Sequence, residues 1–346
     1  MALPLNDTKR RASATLFGLA LGDALGAKTE FMNVEEILQR FPPAGPQEPE
    51  GNPALVTDDT QMALAVGEAL LEAARPYSAA SLEGPLRQAF IVWNNSPDNN
   101  RAPGMTCMRA CKNLERNLPW HEATVATSKG CGANMRVAPV GLLPAGKDGI
   151  TETTRAAIAQ FQAALTHGHP TGLAAADLTS ATIADLLNGG DIAGLPARLR
   201  AYALSQRTIY HADWLGPLWQ RANDSTPEKF IARGWDECLT VLDRLDAALK
   251  KGDRHTDPCQ ATGEGWVAEE AFATGLLCFL LFPNEPVAAL RHAAVTKGDS
   301  DSIACLTGAF AGAYHGMIAW PEEWINQIEY RDQLTNLGKA WDLRLT

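Results

Sequence analysis

The sequence lacks both a basic block and a long apolar run, and each absence excludes a class of protein. Its 346 residues carry 30 Lys and Arg against 40 Asp and Glu, a formal net charge of −10. Nucleic acid is therefore not an expected partner, because binding it depends on a positive surface. The apolar stretch at residues 275–282 is too short to cross a bilayer, so we expect no membrane association.

The cysteines show no pattern that would pair them. There are seven, and their spacing matches neither a disulfide framework nor a zinc or redox motif, so we expect reduced and mostly buried thiols. A basic triplet at residues 9–11 precedes an apolar run that resembles a signal peptide, but Asp23 interrupts that run. The sequence therefore predicts a cytoplasmic protein.

Helical periodicity dominates the chain, and strand patterns are missing. Apolar residues recur at helical spacing nearly everywhere, and no alternating segment bounded by hairpin turns stands out. We expect an all-α fold, a single compact domain over residues 1–346 whose helices cross at varied angles. Helices are predicted over residues 8–26, 34–41, 60–74, 81–94, 105–117, 134–143, 151–165, 171–188, 195–206, 227–248, 267–281, 286–296, 300–317 and 322–341.

One predicted helix start carries more acidic side chains than capping requires. The helix at residue 60 is preceded by the run Thr57-Asp58-Asp59-Thr60, and a single such side chain is enough to cap a helix. Adjacent carboxylates repel each other, and one pKa rises unless a cation lies nearby. The run therefore indicates either a cation site or an unusually acidic cap.

A second acidic helix start lies near the end of the chain, where Asp299 and Asp301 precede Ser302. Together the two clusters supply four carboxylates and three hydroxyls, a set that suits two hard divalent cations such as Mg²⁺. Glu30 is a further carboxylate candidate. Residue types alone leave open a two-metal site and two unrelated helix caps.

Five segments, in this order, resemble motifs of the ADP-ribosylglycohydrolase family, and the first and last are the most specific. The resemblance implies an orthogonal all-α multi-helix fold, an ADP-ribose pocket and two Mg²⁺ (or Mn²⁺) ions. The segments are Gly22-Asp23-Ala24-Leu25-Gly26 with Glu30, Thr57-Asp58-Asp59-Thr60-Gln61-Met62, Gly130-Cys131-Gly132-Ala133-Asn134-Met135-Arg136, Thr166-His167-Gly168-His169-Pro170 and Gly298-Asp299-Ser300-Asp301-Ser302.

The resemblance also implies a role for individual residues in catalysis. Glu30, Asp58 and Asp59 match catalytic carboxylates, and the sequence does not choose the base among them. All of the implied metal ligands offer oxygen, which argues against zinc. These ligands are Thr57, Asp58, Asp59, Asp299, Asp301 and Ser302.

The glycine-rich segment resembles the loop around the ribose and diphosphate, where glycine lets the backbone approach phosphate closely. The family usually has Asn at the position of Cys131 and a small residue at that of Asn134, so contacts to ribose differ here. Trp266 matches an aromatic residue that lines the site, with core packing as the alternative. His169 is a candidate for a substrate hydrogen bond or for a helix cap. The substrate-binding candidates are Gly130, Cys131, Gly132, Ala133, Asn134, Met135, His169 and Trp266.

The implied reaction is hydrolysis of the bond between the terminal ribose C1 and a modified side chain, releasing ADP-ribose. Arginine is the expected acceptor, with serine and O-acetyl-ADP-ribose as alternatives. The expected partner is an ADP-ribosylated protein. An immunity protein that neutralises an ADP-ribosyltransferase toxin is a second hypothesis, with that transferase as partner. An all-α terpene synthase would need a third carboxylate where this chain has Met62.

Glycines recur every four residues in two of the predicted helices. Interior glycine costs about 0.8–1.0 kcal/mol per residue relative to alanine, so we expect something to approach the backbone closely at these positions. We predict that the two glycine faces pack on each other at a tight crossing, which would bring Asp23 and Glu30 near Asp299. The glycines are Gly18, Gly22 and Gly26, and Gly308, Gly312 and Gly316.

Overall fold

The computed structural model describes residues 10–146 and 150–345, which form α-helices joined by loops and short 3-10 turns. The prediction of an all-α fold is confirmed. The α-helices of the described residues are α1 (Arg11–Gly26), α2 (Val34–Arg40), α3 (Asp58–Glu72), α4 (Ala79–Asn94), α5 (Met105–Glu115), α6 (Trp120–Ala123), α7 (Ala138–Gly141), α8 (Glu152–Ala164), α9 (Pro170–Leu187), α10 (Leu195–Gln206), α11 (Ala212–Leu215), α12 (Pro227–Lys251), α13 (Cys259–Thr262), α14 (Ala268–Leu281), α15 (Pro286–Ala293), α16 (Ser300–His315), α17 (Glu322–Gln327) and α18 (Arg331–Leu345).

Two predicted helix extents are wrong, for local reasons. Residues 134–143 contain only the four-residue α7, because Pro139 has no amide to donate and its ring disfavours a helix through that position. Residues 322–341 divide into α17 and α18, since Ile328 is extended and Tyr330 has a φ of 56°. The predicted helix start at residue 8 lies outside the described residues.

The two glycine-bearing helices α1 and α16 cross in direct backbone contact, as predicted. A Cβ added at Gly18 would overlap the carbonyl oxygen of Gly308, and one added at Gly308 would overlap that of Gly18. No side chain separates the helices there, so they run antiparallel at very close range. The paired positions are Ala14 with Gly312, Gly18 with Gly308, Gly22 with Ala304 and Gly26 with Ser300.

The outermost glycine of α16 has a different role. Gly316 follows the helix with a φ of 77°, a conformation that glycine adopts without strain. It therefore ends α16 rather than contributing to the crossing, and the glycine face of that helix consists of Gly308 and Gly312.

The start of α1 is capped from the far end of the chain. Arg10 offers no side-chain cap, but Asp342 on α18 accepts the backbone N–H groups of Ala12 and Ser13 at 2.9 and 3.3 Å. Its second oxygen accepts the Ser13 hydroxyl. A carboxylate in this position satisfies amides that the helix itself leaves unpaired and interacts favourably with the helix dipole.

The core surrounds this crossing, with α3, α9, α14, α15 and α18 packed against α1 or α16. Its buried side chains are dominated by alanine and leucine with interleaved phenylalanine. The seven cysteines are free and buried, as expected. Among the described residues, no helix combines the length and the apolar composition that a membrane span requires.

One core carboxylate weakens the fold at neutral pH. Asp177 on α9 is buried and accepts hydrogen bonds from the Tyr202 hydroxyl at 2.7 Å and the Gln160 amide at 2.9 Å. Burial outweighs these bonds and raises the pKa of Asp177 from 3.8 to about 6. The unfolded chain loses this proton at lower pH than the folded protein, so the free energy of unfolding falls between pH 4 and 6.

Replacing Asp177 with Asn is therefore expected to stabilise the protein at pH 7 by up to about 3 kcal/mol. The buried Oε1 of Gln160 has no hydrogen-bond partner and would accept from the new amide. Urea unfolding at pH 7 and at pH 4 measures the effect. It should be mostly lost at the lower pH, because pH 4 is close to the unfolded pKa of 3.8 and well below the folded pKa of about 6. An equal gain from Asp243→Asn on the exposed face of α12, or a loss at pH 7, would contradict the burial argument.

Candidate active site

Acidic side chains from three separated segments converge where α3 and α16 begin. Glu30 lies just after α1, Asp58 and Asp59 form the first turn of α3, and Asp299 and Asp301 lie at the start of α16. The convergence follows from the glycine crossing, because antiparallel packing places the end of α1 beside the start of α16. The structure thus brings together all five of these predicted site residues.

Asp23 holds the first turn of α3 against α1. It is fully buried, and its carboxylate accepts the Thr57 backbone N–H at 3.0 Å, the Thr57 hydroxyl at 2.9 Å and the Thr60 backbone N–H at 3.1 Å. Since the Thr57 hydroxyl donates its proton to Asp23, its lone pairs are left for the Asp59 amide or for a cation. Asp23 therefore orients a predicted metal ligand without being one itself.

The two neighbouring carboxylates of α3 have different surroundings. Asp58 Oδ2 accepts the backbone N–H of Gly104 at 3.1 Å, so the loop before α5 fixes its orientation. Asp59 is almost completely buried, and its Oδ1 has no hydrogen-bond partner. A buried carboxylate oxygen without a partner is costly, so this oxygen is available to a proton or to a cation.

At the start of α16, three carboxyl groups lie close enough to share a ligand. One oxygen each from Glu30, Asp299 and Asp301 can be chosen so that all three lie within 4.8 Å of one another. The Asp299 backbone N–H donates to the Glu264 carbonyl at 2.7 Å, and the Ser302 N–H donates to Asp301 Oδ1 at 3.0 Å. The backbone therefore holds these carboxylates together although they repel one another.

Repulsion between these carboxylates contributes to raised pKa values throughout the cluster. Burial and the neighbouring carboxylates raise the pKa of Glu30 to about 9 and those of Asp23 and Asp58 to about 7. The same causes raise the pKa values of Asp59 and Asp299 well above the usual range. Without a cation the cluster would therefore hold protons near neutral pH, whereas a divalent cation would favour its ionised form.

The donor set fits such a cation. Every predicted ligand offers an oxygen atom, the unpartnered Asp59 oxygen is available, and Glu30, Asp299 and Asp301 converge. Hard cations such as Mg²⁺ and Mn²⁺ prefer carboxylate and hydroxyl oxygens. The arrangement can therefore hold a hard divalent cation at the junction of α1, α3 and α16.

The glycine-rich segment lies directly beside the acidic cluster. The Cys131 N–H donates to the Trp266 carbonyl at 3.1 Å, and Gly130 pairs with Val267 in an isolated bridge. Burial and the nearby Asp299 and Asp59 carboxylates raise the pKa of the Cys131 thiol well above its usual range. The thiol thus lies near the carboxylates and stays protonated.

Glycine is required at position 132 for packing. A Cβ there would lie 2.7 Å from the Cys107 sulfur and 2.9 Å from His167 Cε1. His167 accepts or donates a hydrogen bond with the Thr166 hydroxyl at 2.8 Å, and the buried Arg136 guanidinium donates to the same hydroxyl at 2.8 Å. The loop is therefore held by a buried polar network.

Three predicted binding residues of this loop point inward. Ala133, Asn134 and Met135 are buried, and the Asn134 amide donates to the Ala268 carbonyl at 3.1 Å. Asn134 therefore connects the loop to α14. Any contact of these three residues with a ligand would be made by the backbone.

His169 serves as the cap of α9. Its Nδ1 accepts the Thr171 backbone N–H at 3.2 Å, and its Nε2 lies 2.8 Å from an Arg233 guanidinium nitrogen. Burial and Arg233 lower the pKa of His169 to about 4. Of the two roles considered for His169, the capping role is the one observed. Both ring nitrogens are engaged, Nδ1 by the Thr171 amide and Nε2 by Arg233.

Trp266 lies at the edge of the site in an aromatic pair. Its ring stacks on Phe31 with centroids 5.6 Å apart and planes at 18°. The preceding Gly265 is so close to Asp299 that an added Cβ would lie 3.3 Å from the Asp299 Cβ. Trp266 is therefore at the acidic cluster and only partly buried, unlike an ordinary core tryptophan.

A profile of the ADP-ribosylglycohydrolase family matches residues 4–345, which is nearly the whole chain. The chain belongs to the ADP-ribosylglycohydrolase family. Membership excludes the terpene synthase alternative, and it explains why acidic residues from distant segments meet at one place.

Several relatives within the family are hydrolases of ADP-ribosyl groups by name. The chain is 26% identical to the ADP-ribosyl-[dinitrogen reductase] glycohydrolase of Rhodospirillum rubrum, over 93% of this chain and 91% of that protein. It is 24% identical to the ADP-ribosylarginine hydrolase Tri1 of Serratia proteamaculans, over 97% and 80%. It is 25% identical to human ADP-ribosylhydrolase ARH3, over 95% and 92%.

A solved structure described as an ADP-ribosylglycohydrolase-related protein complex shares the fold. It superposes with a TM-score of 0.62 at 24% identity, covering 98% of this chain and 99% of the other. The architecture of the family is thus present along the full length.

The sequence assigned no role to three residues that contact this site, although it predicted that Asp23 lies near Asp299. Asp23 had a detectable signal, because a carboxylate inside an apolar helix needs buried partners. Gly104 and Phe31 had none, since their importance depends on contacts with Asp58 and Trp266 across the fold.

Proposed function

We propose that this protein is a divalent-metal-dependent hydrolase that removes ADP-ribose from modified proteins. The observation that carries the proposal is the convergence of Glu30, Asp299 and Asp301 within 4.8 Å, beside the unpartnered oxygen of Asp59. Such a cluster exceeds any capping requirement, and membership of a glycohydrolase family gives it a chemical purpose.

We assign two Mg²⁺ or Mn²⁺ ions to this cluster. When bound, the ions supply positive charge that holds hydroxyl and water oxygens and makes a bound water more acidic. Asp23 keeps the Thr57 hydroxyl oriented, and the Gly104 amide does the same for Asp58. The proposed ligands are Thr57, Asp58, Asp59, Asp299, Asp301 and Ser302.

In the proposed reaction, water oxygen bonds to the ribose C1 as the bond from C1 to the leaving group breaks. One water proton goes to a carboxylate, and a proton is delivered to the leaving group. Among the proposed catalytic carboxylates Glu30, Asp58 and Asp59, Glu30 is partly exposed whereas the other two are buried. This difference favours Glu30 as the residue that exchanges a proton with the leaving group. Asp58 and Asp59 would then act mainly as metal ligands.

The nucleotide part of the substrate is proposed to lie along residues 130–136 and Trp266. Backbone N–H groups in a glycine-containing turn are suited to phosphate oxygens. The inward side chains of Ala133 and Met135 leave the backbone as the contacting surface. His169 remains in the proposed site as a residue that positions the loop.

Arginine is the linkage that we propose. The relatives from Serratia proteamaculans and Pseudomonas putida are ADP-ribosylarginine hydrolases by name, and they support this assignment at 24% and 23% identity. A guanidinium leaving group would also be attracted by the carboxylates of the cluster.

The test is incubation with ADP-ribosyl-arginine and ADP-ribosyl-serine peptides, with release of ADP-ribose as the readout. We expect release from the arginine peptide, loss of activity with EDTA, and recovery with Mg²⁺ or Mn²⁺ but not with Zn²⁺, because the ligands are hard oxygen donors. Full activity in EDTA would overturn the metal assignment. Recovery with Zn²⁺ alone would overturn the choice of metal.

A further inference from the structure

Three exposed apolar residues lie in or directly beside the segments that contact the acidic cluster. Phe31 is 68% exposed, Met105 is 79% exposed and Trp266 is 39% exposed. We call these three residues the apolar rim. Isolated exposed apolar residues are common, but three around one acidic site need an explanation.

Each member of the apolar rim is connected to a different part of the site. Phe31 directly follows Glu30, and Met105 directly follows Gly104, whose N–H binds Asp58. The third member, Trp266, accepts the N–H of Cys131 on its carbonyl oxygen. The rim therefore borders the site from the α1 side, the α5 side and the α14 side.

The exposure of these side chains is fixed by the backbone. Phe31 has a φ of 65°, an unfavourable region for an aromatic residue, and it stacks on Trp266 at 5.6 Å. Met105 is the first residue of α5, where the Thr106 hydroxyl contacts the Ser128 hydroxyl at 3.0 Å. The rim is thus held outward by local structure.

Charged groups next to the rim are already paired with each other. Glu264, two residues before Trp266, forms an ion pair with Lys297 at 2.7 Å. Arg101, shortly before Met105, forms an ion pair with Glu329 at 2.5 Å. Neither Glu264 nor Arg101 is therefore an unpaired charge beside the rim.

We infer that Phe31 and Met105 of the apolar rim bind apolar side chains that flank the modified residue of the protein substrate. Trp266 lies with the nucleotide and supports Phe31 by stacking on its ring. The inference rests on the proposed function, since a polypeptide whose modified residue enters the acidic cluster must lie across the opening. Burying apolar surface on both sides stabilises that complex, whereas polar flanks would lose water without gaining a partner.

The experiment compares two ADP-ribosyl-arginine peptides of equal length and charge, one with leucine and one with serine on both sides of the modified arginine. We expect the wild-type protein to prefer the leucine peptide by about tenfold in kcat/KM, which corresponds to about 1.4 kcal/mol, mostly through KM. In the double variant Phe31→Ser, Met105→Ser the ratio should fall below about threefold. Because the readout is a ratio, a general loss of activity cancels.

Ile318→Ser is the matched control. Ile318 is 76% exposed, and it lies beyond the C-terminal end of α16. Because α16 has 16 residues, that end is about 24 Å from the end that carries Asp299. This variant should keep the wild-type ratio. A similar fall in the ratio for Ile318→Ser would overturn the inference.

Two measurements separate the inference from the proposed function. Hydrolysis of both peptides at equal kcat/KM would overturn the inference and leave the proposed function standing. Failure to bind or hydrolyse either peptide would overturn both. If the double variant weakens binding of free ADP-ribose as much as it weakens turnover of both peptides, the rim holds the nucleotide and the inference is wrong.

Discussion

Asp299→Asn is expected to lower kcat/KM by at least about 10³-fold, because removing one ligand from a metal cluster forfeits several kcal/mol of charge stabilisation. The fold should persist. Asp299 is buried, and burial and Asp301 raise its pKa well above the usual range. Without metal the folded protein must therefore take up a proton there or keep a repelled charge, and the neutral amide avoids both costs. Without added metal, the variant should unfold at the same temperature as wild type or a higher one.

Thermal unfolding with and without Mg²⁺ tests this directly. A cation that binds only the folded state raises the unfolding temperature of the wild type, and the variant should lose that rise. The control is Asp332→Asn, at an exposed carboxylate of α18. This variant should keep the wild-type activity and the wild-type increase in unfolding temperature with Mg²⁺. Wild-type activity in Asp299→Asn, or a rise of equal size, would contradict the proposed metal site.

Gly312→Ala is expected to destabilise the protein by about 3 kcal/mol or more, the upper end of typical overpacking effects. The added methyl group would overlap the carbonyl group of Ala14 on α1. Backbone cannot rotate away as a side chain can, so the two helices would have to separate and would lose contact along their whole length.

Gly84→Ala is the matched control for that substitution. Gly84 also lies inside a helix, α4, but apart from its chain neighbours a Cβ there would have no atom within 4 Å. The gain in helix propensity is opposed by Pro85, which disfavours a helical residue with a Cβ before it, so alanine should change the free energy of unfolding by less than about 1 kcal/mol. Urea unfolding of both variants measures the contrast, and similar values for Gly312→Ala and Gly84→Ala would show that the crossing is not tightly packed.

Local features of this protein could be predicted from sequence because their causes are local. Helical periodicity located most helices, and the excess of carboxylates at Asp58, Asp59, Asp299 and Asp301 marked the acidic cluster before its geometry was known. Four-residue glycine spacing predicted the α1–α16 crossing, since only close approach of another backbone explains repeated helical glycine.

Features that depend on distant contacts could not be predicted in the same way. The cap on α1 is supplied by Asp342, the orientation of Asp58 by Gly104, and the stack on Trp266 by Phe31. None of these pairs leaves a periodic or compositional signal, because the partners lie in different segments and each is an ordinary residue in its own. The wrong extent of the helix near Pro139 has a different cause, because the proline that limits it is a local signal in the sequence.

The antiparallel crossing of α1 and α16 has a consequence for the order in which the protein is made. Helix α1 leaves the ribosome long before α16, and Asp59 and Asp299 emerge roughly 10–50 s apart at about 5–20 residues per second. Until α16 is complete, the glycine face of α1 has no partner and the acidic cluster lacks Asp299 and Asp301. A chain that ends before α16 therefore lacks the complete acidic cluster, and the proposed hydrolysis would begin only after α16 has been made.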